Sequence, residues 1–259
     1  MSIDPPTRRI ARLLSWLGLI LIATGLVLLV LVPMRSPASL MIGSGVAALG
    51  LGMLLGGELI LGPSPRLFTA RGQVVRGDLT VRAGLCDLTL GEGPHDRVAT
   101  VRFGPFGKPH FRAENGVATL RLINGLRPNL ALWEVGLAGN VLWDVDLRST
   151  LGDLTLDLSS LRLERVTART TLGRLHVRGP LRGYVQVQLC SVAGVIEVNI
   201  PPQVAAQVTI HKGTLAAVAM RHGRLQQVEP YCYRTEDYGT AENQIDLHVD
   251  CAAGEVLIA

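Results

Sequence analysis

At 259 residues the chain is long enough for one sizeable domain and a smaller part, and its composition is apolar, with 48% hydrophobic residues and a mean hydropathy of +0.33. The net charge is +4, but from Arg66 onward 21 Lys plus Arg stand against 19 Asp plus Glu. These charges are interspersed rather than gathered into a basic stripe with stacking aromatics, which argues against a nucleic-acid partner.

The apolar excess lies before residue 63. Leu13 to Val32 is a run without a charge, and Leu40 to Leu61 is broken only by Glu58 near its end. At about 1.5 Å per residue each run spans roughly the 30 Å of a bilayer core, which predicts two transmembrane helices over residues 13–62. The first run is too long for a signal-peptide core, and Pro33-Met-Arg-Ser-Pro37 lacks a small-x-small cleavage pattern. The short link between the runs requires a hairpin with both outer ends on one side. Arg8, Arg9 and Arg12 before it and Arg66, Arg71 and Arg76 after it, against Arg35 in the loop, put both termini in the cytoplasm of a two-pass inner-membrane protein. In the second helix Ser44, Ala48, Gly52 and Gly56 form one small-residue face. It packs either on the first helix, at Gly18 or Gly25, or on a second copy. Glu58 reaches the interface by snorkelling.

Residues 63–72, opened by Gly62-Pro-Ser-Pro65, read as a linker, and residues 73–259 as a β domain. Early strands are expected at Val74-Val75, Gly77–Val81, Asp87–Leu90, Ala99–Phe103 and Val117–Leu122, with turns at Gly91-Glu-Gly-Pro94 and Glu114-Asn-Gly116. They serve as irregular rungs or a cap.

From Ala131 to about Thr214 one pattern returns every 21 residues. Gly152, Gly173 and Gly194 head successive repeats. Two positions on, the column is Trp133, Leu154, Leu175 and Ile196, and four positions on it is Val135, Leu156, Val177 and Val198. Polar residues fall between them, as a half-buried strand requires. A second strand in each repeat carries Val145, Val166, Val187 and Val208. A fixed period with two strands predicts a β-solenoid-like stack of rungs. Asp153 shares its place in the repeat with Arg174, and Asp157 with Arg178, so stacked rungs bring opposite charges side by side. After Thr214, Leu215–Met220 is a thin strand. Arg221–Asp237, with Tyr231, Tyr233 and Tyr238, wanders over the end of the stack and is a candidate partner surface. Gln244–Val249 and Gly254–Ile258 are two closing strands.

The six histidines lack metal-ligand spacing, the cysteines Cys86, Cys190, Cys232 and Cys251 form no Cys-x-x-Cys pair, and no nucleophile elbow or Walker loop occurs. The expectation is no metal, no cofactor and no enzyme. The thiols are read as free, with a Cys232–Cys251 disulfide as the alternative.

Trp133-Glu-Val-Gly-Leu137, Trp143-Asp-Val-Asp-Leu147 and the Gly-led Leu156-Asp-Leu158 resemble the C-terminal β domain of LiaF-type cell-envelope-stress regulators and the related "putative adhesin" (toast-rack) domains, over roughly residues 70–258. That resemblance implies a membrane-bound, non-enzymatic protein that restrains a sensor kinase. Two departures separate this chain from it. The membrane region has two helices rather than about four, and the rung heads read Thr150-Leu-Gly152, Thr171-Leu-Gly173 and Val192-Ala-Gly194 instead of Gly-Ala-Gly. The expected function is a membrane-anchored regulatory or scaffold protein whose β-solenoid binds a membrane or cytoplasmic protein such as a sensor kinase. The alternatives are a membrane-tethered homopolymer of the bactofilin kind and an extracytoplasmic adhesin-like module.

Overall fold

The computed structural model describes residue 44 and residues 66–103, 108–123 and 133–259. The chain separates into two compact units, Met1–Pro63 and Ser64–Ala259. The hairpin read over residues 13–62, with Ala48, Gly52, Gly56 and Glu58, lies outside the described residues, Ser44 excepted. Among the described residues no helix is long and apolar enough to cross a membrane.

The second unit is all β. In chain order its strands are β1 (Arg66–Ala70), β2 (Arg76–Leu85), β3 (Leu88–Glu92), β4 (Ala99–Phe103), β5 (Lys108–Glu114), β6 (Val117–Ile123), β7 (Trp133–Leu137), β8 (Leu142–Leu151), β9 (Leu154–Asp157), β10 (Arg162–Arg178), β11 (Tyr184–Asn199), β12 (Ala205–Met220), β13 (Gln226–Glu229), β14 (Cys232–Arg234) and β15 (Gln244–Ile258). Strand β1 thus occupies part of the segment expected to be a linker, and no strand forms at Val74-Val75. The two closing strands are one continuous strand, β15.

Parallel pairing in register stacks these strands. β10 and β11 pair with a 21-residue offset along nearly their whole length, from Arg165↔Gln186 to Arg178↔Asn199. In β10, β11 and β15 the buried residues change parity at the middle, whereas β12 keeps its parity through a register shift between Lys212 and Leu215. In β11 they are Val185, Val187, Leu189 and Ser191, then Ile196 and Val198. The switch falls at Gly194, where φ is +150°, and its counterparts are Gly173 (+142°) and Gly254 (+122°). A glycine is needed there because an L side chain rarely adopts this conformation. In addition, a Cβ on Gly173, Gly194 or Gly254 would overlap the carbonyl oxygen of Gly152, Gly173 or Gly194 respectively on the adjacent strand. Each rung is therefore strand, bend and strand, and the apolar columns of both halves merge in one buried cluster.

The stack departs from the expected regular order in two places. β3 lies between β7 and β9, so Trp133 faces Leu88, which in turn faces Leu154. β15 lies between β11 and β12, so the column runs Val187, Leu247, Val208. Neighbouring repeats in the chain are thus separated in space by strands from elsewhere. Both inserted strands carry the same alternation as the repeats, which lets them fit the columns.

Trp143 is fully buried, and its Nε1 donates to the Ala138 carbonyl at 3.0 Å. Its ring fills the space where a Cβ on Gly77 would sit. The ends are closed by antiparallel strands: β4 on β7 and β1 on β4, β5 on β6, and a β13–β14 hairpin on β12. The β5–β6 connection uses Asn115 (φ +52°) and Gly116 (φ +79°), a pair suited to a tight hairpin turn. The C-terminus is tied in, with the Ala259 amide donating to Val198 O and Ile200 N donating to Ala259 O.

Candidate functional site

The inner columns are consumed by packing. Trp133, Val135, Leu154, Leu156, Leu175, Val177, Ile196, Val198, Val145, Val166, Val187 and Val208 are all buried. They hold the fold and offer no site. Much of the outward charge is paired across rungs. His176 lies 3.3 Å from Glu197, and Arg178 lies 3.9 Å from Asp157. The expected Asp153–Arg174 side-chain pair is different. Asp153 Oδ1 accepts from the Arg174 backbone amide at 2.8 Å, and Asp87 Oδ1 accepts from Asp153 N at 2.8 Å. These two carboxylates fix register at the bend by binding backbone, an interaction that the column arithmetic alone does not show.

Along the bend side runs a groove of about 840 Å³ crossing six strands, from Arg82 on β2 to Lys212 on β12. Arg82, Arg148 and Arg169 stand opposite one another on the consecutive strands β2, β8 and β10. Cys190, Asp250 and His211 continue that row. One row along lie Ser149, Thr170 and Ser191, whose hydroxyls are buried and without a hydrogen-bond partner. Arg148 is engaged by Asp146, with 3.3 and 3.1 Å contacts. Arg82 and Arg169 are exposed and carry no ion pair among the described residues. The signal for this row was visible in part, since Arg148 and Arg169 are 21 residues apart. Arg82 sits on β2, which precedes the repeats in the chain and pairs with β8 at an offset that is not a multiple of 21, so it was out of reach of the period.

The three tyrosines of the candidate partner surface differ in exposure. Tyr231 is exposed at the β13–β14 turn with φ +60°, and Lys212 Nζ lies 5.5 Å from its ring centroid. Tyr233 packs against the core. Tyr238 is half-buried near Arg234, and burial together with the nearby Asp246 carboxylate pushes its hydroxyl up to about 12. A more open feature adjoins them. The β13–β14 hairpin covers β12 only at Gln207–Thr209, and the outer side of Leu215–Met220 pairs with no strand among the described residues.

The four cysteines are free. Burial pushes the Cys86 thiol up to about 12, and burial with a hydrogen bond to Asp250 pushes Cys190 up to about 11. Neither is a ready nucleophile at neutral pH, because the thiolate is the reactive form. No cluster of three or more metal-ligating side chains occurs among the described residues.

No protein-family model matches the chain, and no curated protein matches it. Solved structures do. A "putative cell adhesion protein" from Clostridium sporogenes superposes with a TM-score of 0.68 at 15% identity, covering 76% of this chain and 98% of that one. A "putative adhesin" from Bacteroides fragilis gives a TM-score of 0.26 at 9% identity, covering 77% and 100%. The chain shares the all-β fold of the first.

Proposed function

We propose that the chain is a non-enzymatic, membrane-anchored regulatory or scaffold protein that presents a β-solenoid for protein–protein contact. The partner fitting the resemblance to LiaF-type regulators is a membrane sensor kinase in envelope-stress signalling. The observation that carries the reading is the bare edge Leu215–Met220. An edge strand with unpaired amides and carbonyls is a template for an added strand, and Leu215–Met220 carries no charged residue of its own, although Lys212 Nζ donates to the Ala216 carbonyl at 3.4 Å. The test is a photo-crosslinking residue at exposed Ala217 in native membranes. A single heterologous membrane protein is the expected product. A product containing two copies of this chain supports the tethered polymer instead, and no crosslink at all overturns both.

The shared fold with a cell adhesion protein favours a second reading, an adhesin-like module outside the cell. The two readings place Cys232 on opposite sides of the membrane. Cys232 and Cys190 are part-exposed, whereas Cys86 and Cys251 are buried, so the labelling is done on the Cys190→Ala variant. In intact cells a membrane-impermeant maleimide is expected to leave Cys232 unlabelled until the membrane is opened. Labelling of intact cells would reverse the topology and favour the adhesin-like module.

A further inference from the structure

Three arginines side by side across a sheet are a poor choice for stability. Like charges on directly opposed residues destabilise a strand pair, and Arg82, Arg148 and Arg169 are so placed twice in succession. At about 4.8 Å per strand the three guanidinium-bearing positions span roughly 10 Å along the stack. Only Arg148 has an acid beside it. Exposed Thr150 and Thr171 line the same groove, and Lys212 stands at its far end. A row of guanidinium groups with five donors each is suited to carboxylate or phosphate oxygens, which accept in bidentate fashion.

The direction of the groove decides which anion fits. It runs across the strands, where the backbone amides and carbonyls of β2, β8, β10, β11, β15 and β12 are already paired in parallel ladders. A peptide that gains its affinity by strand addition finds no free edge there. Over β2, β8 and β10 the groove offers side-chain guanidinium and hydroxyl groups about 5 Å apart, and Cys190, Asp250 and His211 continue the row over the remaining strands. A flexible chain with repeated acidic groups and many hydroxyls can use both, and it can follow a recess that a flat bilayer cannot enter.

We infer that this groove binds an acidic polysaccharide, with Arg82 and Arg169 as the free anion-binding positions and Arg148 between them. The inference does not rest on a protein partner at the Leu215–Met220 edge, so it stands or falls separately from that reading.

The test uses the full chain in a neutral detergent with sodium polygalacturonate as the probe and dextran of equal length as the uncharged comparison. Polygalacturonate is expected to bind and dextran not, with affinity falling as NaCl is raised from about 50 to 300 mM, since screening acts on exposed charges. The double variant R82Q/R169Q is expected to bind at least about tenfold more weakly, the loss of two charge-assisted contacts. The conservative R82K/R169K is expected to lie between, because lysine keeps the charge and loses the bidentate fork. R121Q/R162Q removes the same charge from exposed positions outside the groove and is expected to stay within about twofold of the parent. The inference is overturned by equal binding of R82Q/R169Q and the parent, by equal loss in R121Q/R162Q, by dextran binding as tightly, or by no polygalacturonate binding at low salt. Tighter binding of polyglutamate or of phosphatidylglycerol vesicles overturns it as well, in favour of an acidic protein or the membrane surface.

Discussion

Ending the chain after Asn243 is expected to abolish cooperative folding of the Ser64–Ala259 unit rather than to trim it. In a regular repeat stack the last repeat contacts only its neighbour, and its removal leaves the others standing. Here the last strand is internal. β15 pairs with β11 from Tyr184 to Val198 on one side and with β12 from Ala205 to Met220 on the other. Its Ile245, Leu247, Val249, Val256 and Ile258 are fully buried. At about 1.5–3 kcal/mol for each such side chain, their loss is on the order of 10 kcal/mol, comparable to the whole stability of a domain.

One rescue is conceivable, in which β12 closes directly onto β11 with the 21-residue offset of the neighbouring repeats. The residue at the rung head would then be Leu215. A Cβ at that place meets the carbonyl oxygen of Gly194, where β15 supplies Gly254 instead. Closure at that offset is therefore blocked, and β12 meets the Gly254 bend only through a register shift between Lys212 and Leu215 that sets Ala216 opposite it. Far-UV circular dichroism and limited proteolysis of the chain ending at residue 243 are expected to show lost β signal and no protected fragment. A protease-resistant core ending near Met220 would mean that β11 and β12 do close up.

The same contrast explains what the sequence made legible. Alternation and glycine spacing are local properties, set by the pleat and by the bend, and they mark the inward columns from Trp133 to Val208. Spatial order is not local. Gly254-Glu-Val-Leu-Ile258 matches Gly194-Val-Ile-Glu-Val198 in kind, yet it follows by 60 residues, which is not a multiple of 21. The excursion of Arg221–Asn243, including the hairpin that covers β12 at Gln207–Thr209, hides the phase. β2 and β3 are displaced in the same manner by the intervening β4, β5 and β6. The bend groove stayed out of view because its arginines become a row only when β2 is set beside β8. The small-residue face of the second apolar run is a pattern of another kind, and it falls outside the described residues save for Ser44.

Gly194→Ala is expected to destabilise the unit by about 2–6 kcal/mol, which a denaturant-unfolding midpoint in detergent would register. Two effects add. An L residue held at φ +150° is strained by roughly 1–3 kcal/mol. The new methyl group also overlaps the Gly173 carbonyl oxygen, a backbone atom that cannot swing aside. That strand is fixed from both faces, β10 being paired to β9 and β11 over residues 175–178. Relief would have to spread the ladder, and overpacking of this kind costs about 1–3 kcal/mol more. Gly194's own carbonyl faces Gly254, so any shift is passed to the next rung as well. Gly223→Ala is the matched comparison. It has no heavy atom within 4 Å of the added carbon and no left-handed backbone, and its effect is expected to stay within about 0.5 kcal/mol. Equal midpoints for the two variants would show that the bend accepts a side chain and that glycine is not what holds the rungs at their spacing.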